Sequence, residues 1–548
     1  MTDDQYRREY AHHLIEQVNK GRMTRRQLLV RASIFGFSAT AAGSLLAACG
    51  GGSTASSPAA IASATPAPKA GGTLRISSPD SLIALDPVTM NDAGGPVQIQ
   101  QVCEYLVWAE NDQTLRPVLA ESWRSDKTAE VWTFKLRQGV KFNDGSPFGA
   151  DDVVATFDRL TDPKSGSSAL SVLGGILSPG GTQKVDDATV AFNLDAPFAD
   201  FPALVSSSNY NAVILPRNYS GEFLKTPVGT GPFTLTKHTA KQNSTFAKNP
   251  NYWQKGLPYF DGLVFKFAAD DAAASLALQA GEVDMQCQTP FQGSQALFLD
   301  PKLNIAEVPS TGLREVFMRV DKGPLSDKRV RQAVAYCIDR PAIIQALFDG
   351  RATIGNDTVF SSLYPNSPKL PQRAQDYAKA KQLLTDAGHP DGLALHLTTM
   401  NFLEVPQYAQ LIKAQCKPAG IKVNIDMIEY SAFFAGDPAP WLSVPMGITD
   451  WTFRPTPIQF VMAMLLTTSV WNSSHSSNAE YDKLAAQYAA TVDEATRMPI
   501  ATKMATIEND ETPHMLSFFI TQLSARVKNL YGVHGINIYL DLSKAYLA

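Results

Sequence analysis

The sequence predicts an α/β protein built in more than one layer and divided into two or more lobes, and three observations carry that reading. Short stretches with strand alternation recur along the chain, interleaved with longer stretches of helical period, the mixed order from which α/β architectures are built. The body from about Lys69 to Ala548 is too long to enclose in one ordinary hydrophobic core. A charged fraction of 18% with a net charge of −4 spread along the chain is that of a soluble globular protein, and it indicates neither nucleic acid nor an anionic membrane face as a partner.

In chain order, Thr73 to Ile76 alternates as a short strand, and Val131 to Leu136 alternates polar and apolar in the same way ahead of Gly139. Asp144-Gly145 marks a turn, and Asp151-Asp152 starts a helix carrying Val153, Val154, Phe157 and Leu160 at helical spacing. Asp270-Asp271 supplies the acidic first turn of a helix over Ala272 to Leu278. Ser326-Asp327 caps another, with Val330, Val334, Cys337 and Ile338 on one face. That helix stops near Asp339, because Arg340-Pro341 is the first turn of the next, which runs through Ile343, Ile344 and Leu347 to Gly350. A helix from Tyr377 gathers Ala380, Leu383, Leu384 and Ala387 and closes at Gly388, after which Leu393 to Leu397 and Ile421 to Ile428 alternate as strands.

The N-terminal region points to export. Arg25-Arg26 precedes an uncharged run from Ala32 to Leu46 that is too short to cross a bilayer comfortably and is weakened as a helix by Gly36 and Gly43. Leu46-Ala47-Ala48-Cys49 resembles a bacterial lipobox, in which the signal is cut before the cysteine and the thiol is acylated, and the paired arginines resemble a Tat signal. The competing reading is a chance Arg-Arg before an ordinary buried helix. From Gly50 to Ala70 the chain is Gly, Ser, Thr, Ala and Pro apart from Ile61 and one charge, Lys69, the composition of a flexible tether between an anchor and a folded body. The expected layout is therefore a signal over 1–48, with lipidation at Cys49, and a tether over 49–70.

Catalytic signatures are weak. Gly229-Thr230-Gly231-Pro232 lacks the Gly-Lys-Ser/Thr of a phosphate loop, and Pro232 has no amide to offer, so a tight turn is expected. The histidines form no HxxxH or HxH pair, and no GxSxG elbow is present, so neither a metal site nor a nucleophile is indicated and no cofactor is expected. Cys103, Cys287, Cys337 and Cys416 occur in apolar contexts without a CxxC pair and read as small buried hydrophobes, although an extracellular location permits disulfides.

From Gly71 to the C-terminus the order of several segments resembles the family 5 extracellular solute-binding proteins of ABC importers. The resemblance rests on Gly71-Gly-Thr-Leu74, Leu119-Ala-Glu-Ser-Trp123, Trp132 to Phe142 with Asp144-Gly145, and Ala150-Asp-Asp-Val153. It continues through Pro227-Val-Gly-Thr-Gly-Pro-Phe233, Asn249-Pro-Asn-Tyr-Trp253, Gly281-Glu-Val-Asp284, Val330-Arg-Gln-Ala333, and Ala380 to Leu384 with Ala387-Gly388. It implies a class II periplasmic-binding-protein fold of the large cluster: two lobes of mixed sheets flanked by helices, hinge strands between them, and an extra subdomain. In these terms lobe I comprises 71–312 and 515–548, with the extra subdomain at about 110–225, and lobe II comprises 313–514. Gly139, Gly145 and Gly229 then serve turns, while Trp132, Phe134 and Phe142 belong to the core.

The resemblance also implies a function: a monomeric, non-enzymatic binding protein that holds a small molecule or short peptide between its lobes and hands it to ABC permease subunits in the membrane. A peptide sensor or chaperone on the cell surface is the alternative, and a lipid-anchored hydrolase stands behind it. Ile448 to Arg454 looks like the second-lobe stretch in which a tryptophan and nearby polar groups line the cleft, which makes Asp450, Trp451, Thr452 and Arg454 ligand-site candidates. Peptide-binding members place an aspartate three residues after that tryptophan to hold the ligand's amino group, whereas this chain has Arg454, whose planar fork suits a carboxylate or phosphate and cannot hold an ammonium. Asp450 is a substitute for the missing acid, but on an extended segment Asp450 and Trp451 point to opposite faces. Trp471, Asn472 and His475 form a second candidate cluster, with a surface loop leading into the helix from Ala479 as the equal alternative.

Overall fold

The computed structural model describes residues 66–81, 85–536 and 539–548, and every element below lies in the compact unit Ala67–Ala548. Cys49, the export segment and the tether as far as Thr65 lie outside the described residues.

Fifteen strands position the site. They are β1 (Thr73–Ser78), β2 (Ala120–Ser125), β3 (Val131–Leu136), β4 (Thr182–Asp186), β5 (Thr189–Asn193), β6 (Phe233–Thr239), β7 (Asn243–Lys248) and β8 (Gly262–Phe267). The remainder are β9 (Met285–Gln286), β10 (Leu303–Met318), β11 (Ala352–Ile354), β12 (Leu393–Asn401), β13 (Ile421–Glu429), β14 (Met446–Trp451) and β15 (His514–Val527). One mixed sheet of 11 strands runs in the order β13-β12-β14-β10-β15-β9-β1-β8-β7-β6, with β11 paired to β15. A separate four-stranded antiparallel sheet, β2-β3-β5-β4, packs against the Ala150–Thr161 helix.

The sheet's middle is the antiparallel pair β10 and β15, of 16 and 14 residues, about three times an ordinary strand. Strands this long can serve two bodies at once. One end of β10 pairs with β15 beside β9 and β1, and the other end pairs with β14 beside β12 and β13. Helices cover the sheet, giving the mixed α/β, two-lobed architecture of a periplasmic binding protein.

Local signals place the helices as expected. Asp327 caps Lys328–Tyr336 by accepting from the Arg329 amide at 2.8 Å, and Asp339 caps Arg340–Phe348 by accepting from Ala342 at 3.0 Å. Asp270 caps Asp271–Gln279 in the same way, accepting from Ala273 at 2.7 Å. Trp132, Phe134 and Phe142 are buried, and the four described cysteines are free and buried. Gly229-Thr230-Gly231 turns against the end of the Gly94–Val102 helix so closely that a β-carbon on Gly229 would lie 2.1 Å from the Val102 carbonyl oxygen. The glycines therefore serve close backbone packing, and the segment bends over 230–232 rather than forming the expected tight turn. Among the described residues no helix is long and apolar enough to cross a membrane, and no group of three acids, histidines or cysteines is placed to hold a metal.

Candidate functional site

Strands β12 and β13 run parallel, and β14 runs parallel to β12, so Asn401, Glu429 and Trp451 end at one edge of the sheet. The carboxyl edge of such strands is where open α/β sheets bind ligands. On its other side β14 is antiparallel to β10, with Thr449 opposite Glu315, Asp450 opposite Arg314 and Trp451 opposite Leu313. The pleat sends Thr449 and Trp451 to the face of Glu315 and Asp450 to the face of Arg314.

Glu315 is wholly buried and has every reason to be ionised. Its Oε2 accepts from the Thr449 hydroxyl at 2.7 Å and from the Trp451 indole N–H, and its Oε1 accepts from Ser473 at 3.2 Å and contacts the His514 imidazole. Burial alone would raise its pKa, but His514 and these donors bring it below the usual carboxylate range. Trp451 is only 7% exposed, and its ring meets Trp471, 37% exposed, at a centroid distance of 5.7 Å. Since the indole N–H is spent on Glu315, Trp451 offers a ligand a ring and no donor.

On the other face, Arg314 is shared by two acids. Its Nε lies 2.8 Å from Glu404 Oε1, its guanidinium sits over the Phe402 ring at 5.7 Å, and Asp450 lies within its electrostatic reach. Burial raises the Asp450 pKa and Arg314 opposes it. Two acidic side chains therefore face one guanidinium beside the end of β14.

Arg454 is the opposite case. Among the described residues no carboxylate pairs with it, and the one hydrogen bond from its guanidinium runs from Nη1 to the Thr452 hydroxyl at 3.4 Å. Burial lowers its pKa, opposed only by the phenol groups of Tyr539, Tyr364 and Tyr210. Tyr210 follows the β2–β5 region, Tyr364 follows β11 and Tyr539 follows β15, so distant parts of the chain converge on one uncompensated cation. Phe453 packs on Tyr539 at 5.7 Å, and the two rings border a void of about 30 Å³ with Ser207, Ser208, Ser310 and Gln522.

The second predicted cluster divides. Trp471 joins Trp451, but Asn472 is committed to its own loop: its Nδ2 donates to Leu466 and Ser476 carbonyls at 3.2 and 2.8 Å, and its Oδ1 accepts from Ser474 and the Ser476 amide at 3.0 Å each. With every donor and acceptor used, it has nothing to give a ligand. His475 bonds the Leu442 carbonyl at 2.9 Å and lines an outer pocket of about 380 Å³ with Pro438, Leu442, Thr467 and Val470. Both residues line that pocket, and their hydrogen bonds hold the loop itself. Thr452 is exposed and touches the site through Arg454 alone.

Glu315, Arg314, His514 and the three tyrosines were not among the sequence candidates. For Arg314-Glu315 a signal existed, because a charged pair inside the run Leu313 to Met318 is unusual for a central strand.

Comparison with known proteins bears on the family and the fold. Glutathione-binding protein GsiB of Escherichia coli strain K12 is 29% identical over 461 residues, covering 82% of this chain and 89% of the relative. The structure of HbpA2 from Haemophilus parasuis superposes with a TM-score of 0.76 at 25% identity, covering 87% of this chain and all of that one. AgaA from A. tumefaciens R10, solved in complex with agropinic acid, shares the fold at a TM-score of 0.68 and 24% identity, covering 87% of this chain and 99% of that one. The model of the bacterial extracellular solute-binding proteins, family 5, matches residues 114–473, well over half the sequence, and the chain belongs to that family.

Proposed function

We propose that this protein captures a small acidic solute, a short peptide or a peptide-like or opine-like amino-acid conjugate, and delivers it to the permease of an ABC importer. Arg454 carries the reading: a half-buried guanidinium without a carboxylate among the described residues, approached by tyrosines from separate parts of the chain, is complementary to an anion brought from outside. Trp451 with Trp471 supplies a ring wall at the end of β14, while the pleat turns Asp450 to the opposite face beside Arg314. Glutathione, the ligand in the name of the relatives at 29% identity, has two free carboxylates, and either suits the Arg454 cation. The lobes are 71–312 with 515–548, and 313–514, and ligand held between them favours the closed form that the permease reads. The protein works as a monomer tethered to the outer face of the cytoplasmic membrane through acylated Cys49.

Calorimetric titration with glutathione and short peptides tests the site. Arg454→Ala should weaken binding by about 2–5 kcal/mol, Arg454→Lys should recover part of it, and the bound solute should be recovered unchanged. Equal affinity in Arg454→Ala, or for a ligand whose carboxylates are amidated, would refute the assignment. Cys49→Ser should release the protein from membranes; a variant still anchored after a high-salt wash would refute the lipid anchor.

A further inference from the structure

Strand β10 changes register at its midpoint. Its pairing with β15 is unbroken from Leu303 opposite Val527 to Pro309 opposite Thr521, and resumes at Leu313 opposite Phe519, so that β10 advances four residues while β15 advances two. Ser310, Thr311 and Gly312 form the resulting bulge, where a long strand bends and twists more readily than elsewhere. Thr311 is wholly buried there. Its hydroxyl donates to the Arg454 carbonyl at 2.7 Å and accepts from the Arg454 amide at 3.1 Å, and the Tyr364 hydroxyl donates to the same carbonyl at 2.8 Å. Four residues on, Glu315 of the same strand holds Thr449 and Trp451. The segment carrying Arg454 is thus fastened at both ends to β10, and the Arg454 end is fastened to the bulge.

We infer that Thr311 is a positioning residue: one hydroxyl, bonded to both backbone groups of Arg454, seats the cation on the β10 bulge and ties its placement to the bend of that strand. The inference rests on the reading of Arg454 as the acid-binding group, and the hydroxyl touches no ligand itself. Because a single Oγ serves as donor and acceptor to one residue, removing it frees both groups together, whereas a hydroxyl without the methyl retains them.

The test compares Thr311→Val, which keeps the shape and loses the hydroxyl, with Thr311→Ser, which keeps the hydroxyl. Two readouts are local to Arg454 in ligand-free protein: residue-resolved amide exchange, and the rate of phenylglyoxal modification mapped by mass spectrometry. Thr311→Val should speed exchange of the Arg454 amide at least tenfold and change the phenylglyoxal rate at Arg454 at least threefold, with the amide of Leu516 unaffected. Thr311→Ser should stay within twofold of wild type in both. A Thr311→Val protein within twofold of wild type in both readouts, or a Thr311→Ser protein as perturbed as Thr311→Val, would overturn the inference. Adding glutathione separates this from the ligand reading: protection of Arg454 from phenylglyoxal in wild type reports on acid binding, while the ligand-free rates report on Thr311 alone.

Discussion

Buried Arg340 and Arg373, set against half-buried Arg454, show how the same side chain is used for opposite ends. Arg340 and Arg373 enclose Asp357, which is 1% exposed: Arg340 Nη2 reaches both carboxylate oxygens at 2.7 Å, Arg373 Nη1 reaches one at 2.6 Å, and the Leu516 amide adds a bond at 3.1 Å. Arg454 has the phenols and one threonine hydroxyl. In the first group the chain brings its own counter-ion and the geometry is finished when folding is finished. In the second the electrostatics stay incomplete, and only an incoming anion completes them.

The sharpest way to break that contrast is to remove the counter-ion that the chain supplies. Asp357→Ala leaves two guanidinium groups buried without an acid, and denaturant unfolding should show a loss of about 3–5 kcal/mol that no added solute restores. Arg454→Ala should do the reverse in ligand-free protein, leaving the melting temperature unchanged or slightly raised, because an uncompensated cation is removed from a partly dry site. A large drop in ligand-free stability would place Arg454 with Arg340 and Arg373 as scaffold.

The buried region beside Asp357 should also respond to pH. Glu508 accepts from the Val359 amide at 2.8 Å and from the Tyr481 hydroxyl at 2.7 Å, and burial pushes its pKa up to about 7. Between its unfolded value and about 7 the folded state holds a proton that the unfolded state has lost. Its contribution is therefore full below the unfolded pKa and is lost as pH rises through the folded one. Stability measured by denaturant should fall by on the order of 1–3 kcal/mol from this group as pH rises from the unfolded carboxylate range to neutrality, and Glu508→Gln should flatten that slope. The smallest effects belong to the outer loop: Asn472→Ala and His475→Ala should change solute affinity by less than about twofold, within the range of substitutions away from a binding contact, as read by calorimetry. A tenfold loss in either would return the loop to the ligand site.

Much of the fold was legible because its signals are local. An acid before an apolar-periodic run caps a helix wherever it occurs, so Asp270, Asp327, Asp339 and Asp376 could be found without knowing what lies across the molecule. Strand alternation gave β3, β12 and β13 for the same reason. The site was legible in part. Arg454 drew notice because it breaks a pattern, and the opposed faces of Asp450 and Trp451 follow from the pleat alone. Asn472 and His475 could not be sorted from Trp471, since three neighbours in a loop share no periodicity that says which of them turns inward.

By itself the sequence determined several of the helices and half-buried strands, the turns at Gly139 and Gly145, and that an arginine stands three residues after Trp451. Only the tertiary structure decided which charges are answered. Glu315 meets His514 and Trp451, and Arg340 meets Asp357, across separations of 17 to about 200 residues, while Arg454 is approached by Tyr210, Tyr364 and Tyr539 and by no acid among the described residues. The physical reason is that secondary structure follows from bonds and side-chain spacing within a few residues. Compensation of a buried charge depends on groups that only folding brings within a few ångströms, and that part of the site cannot be read along the chain.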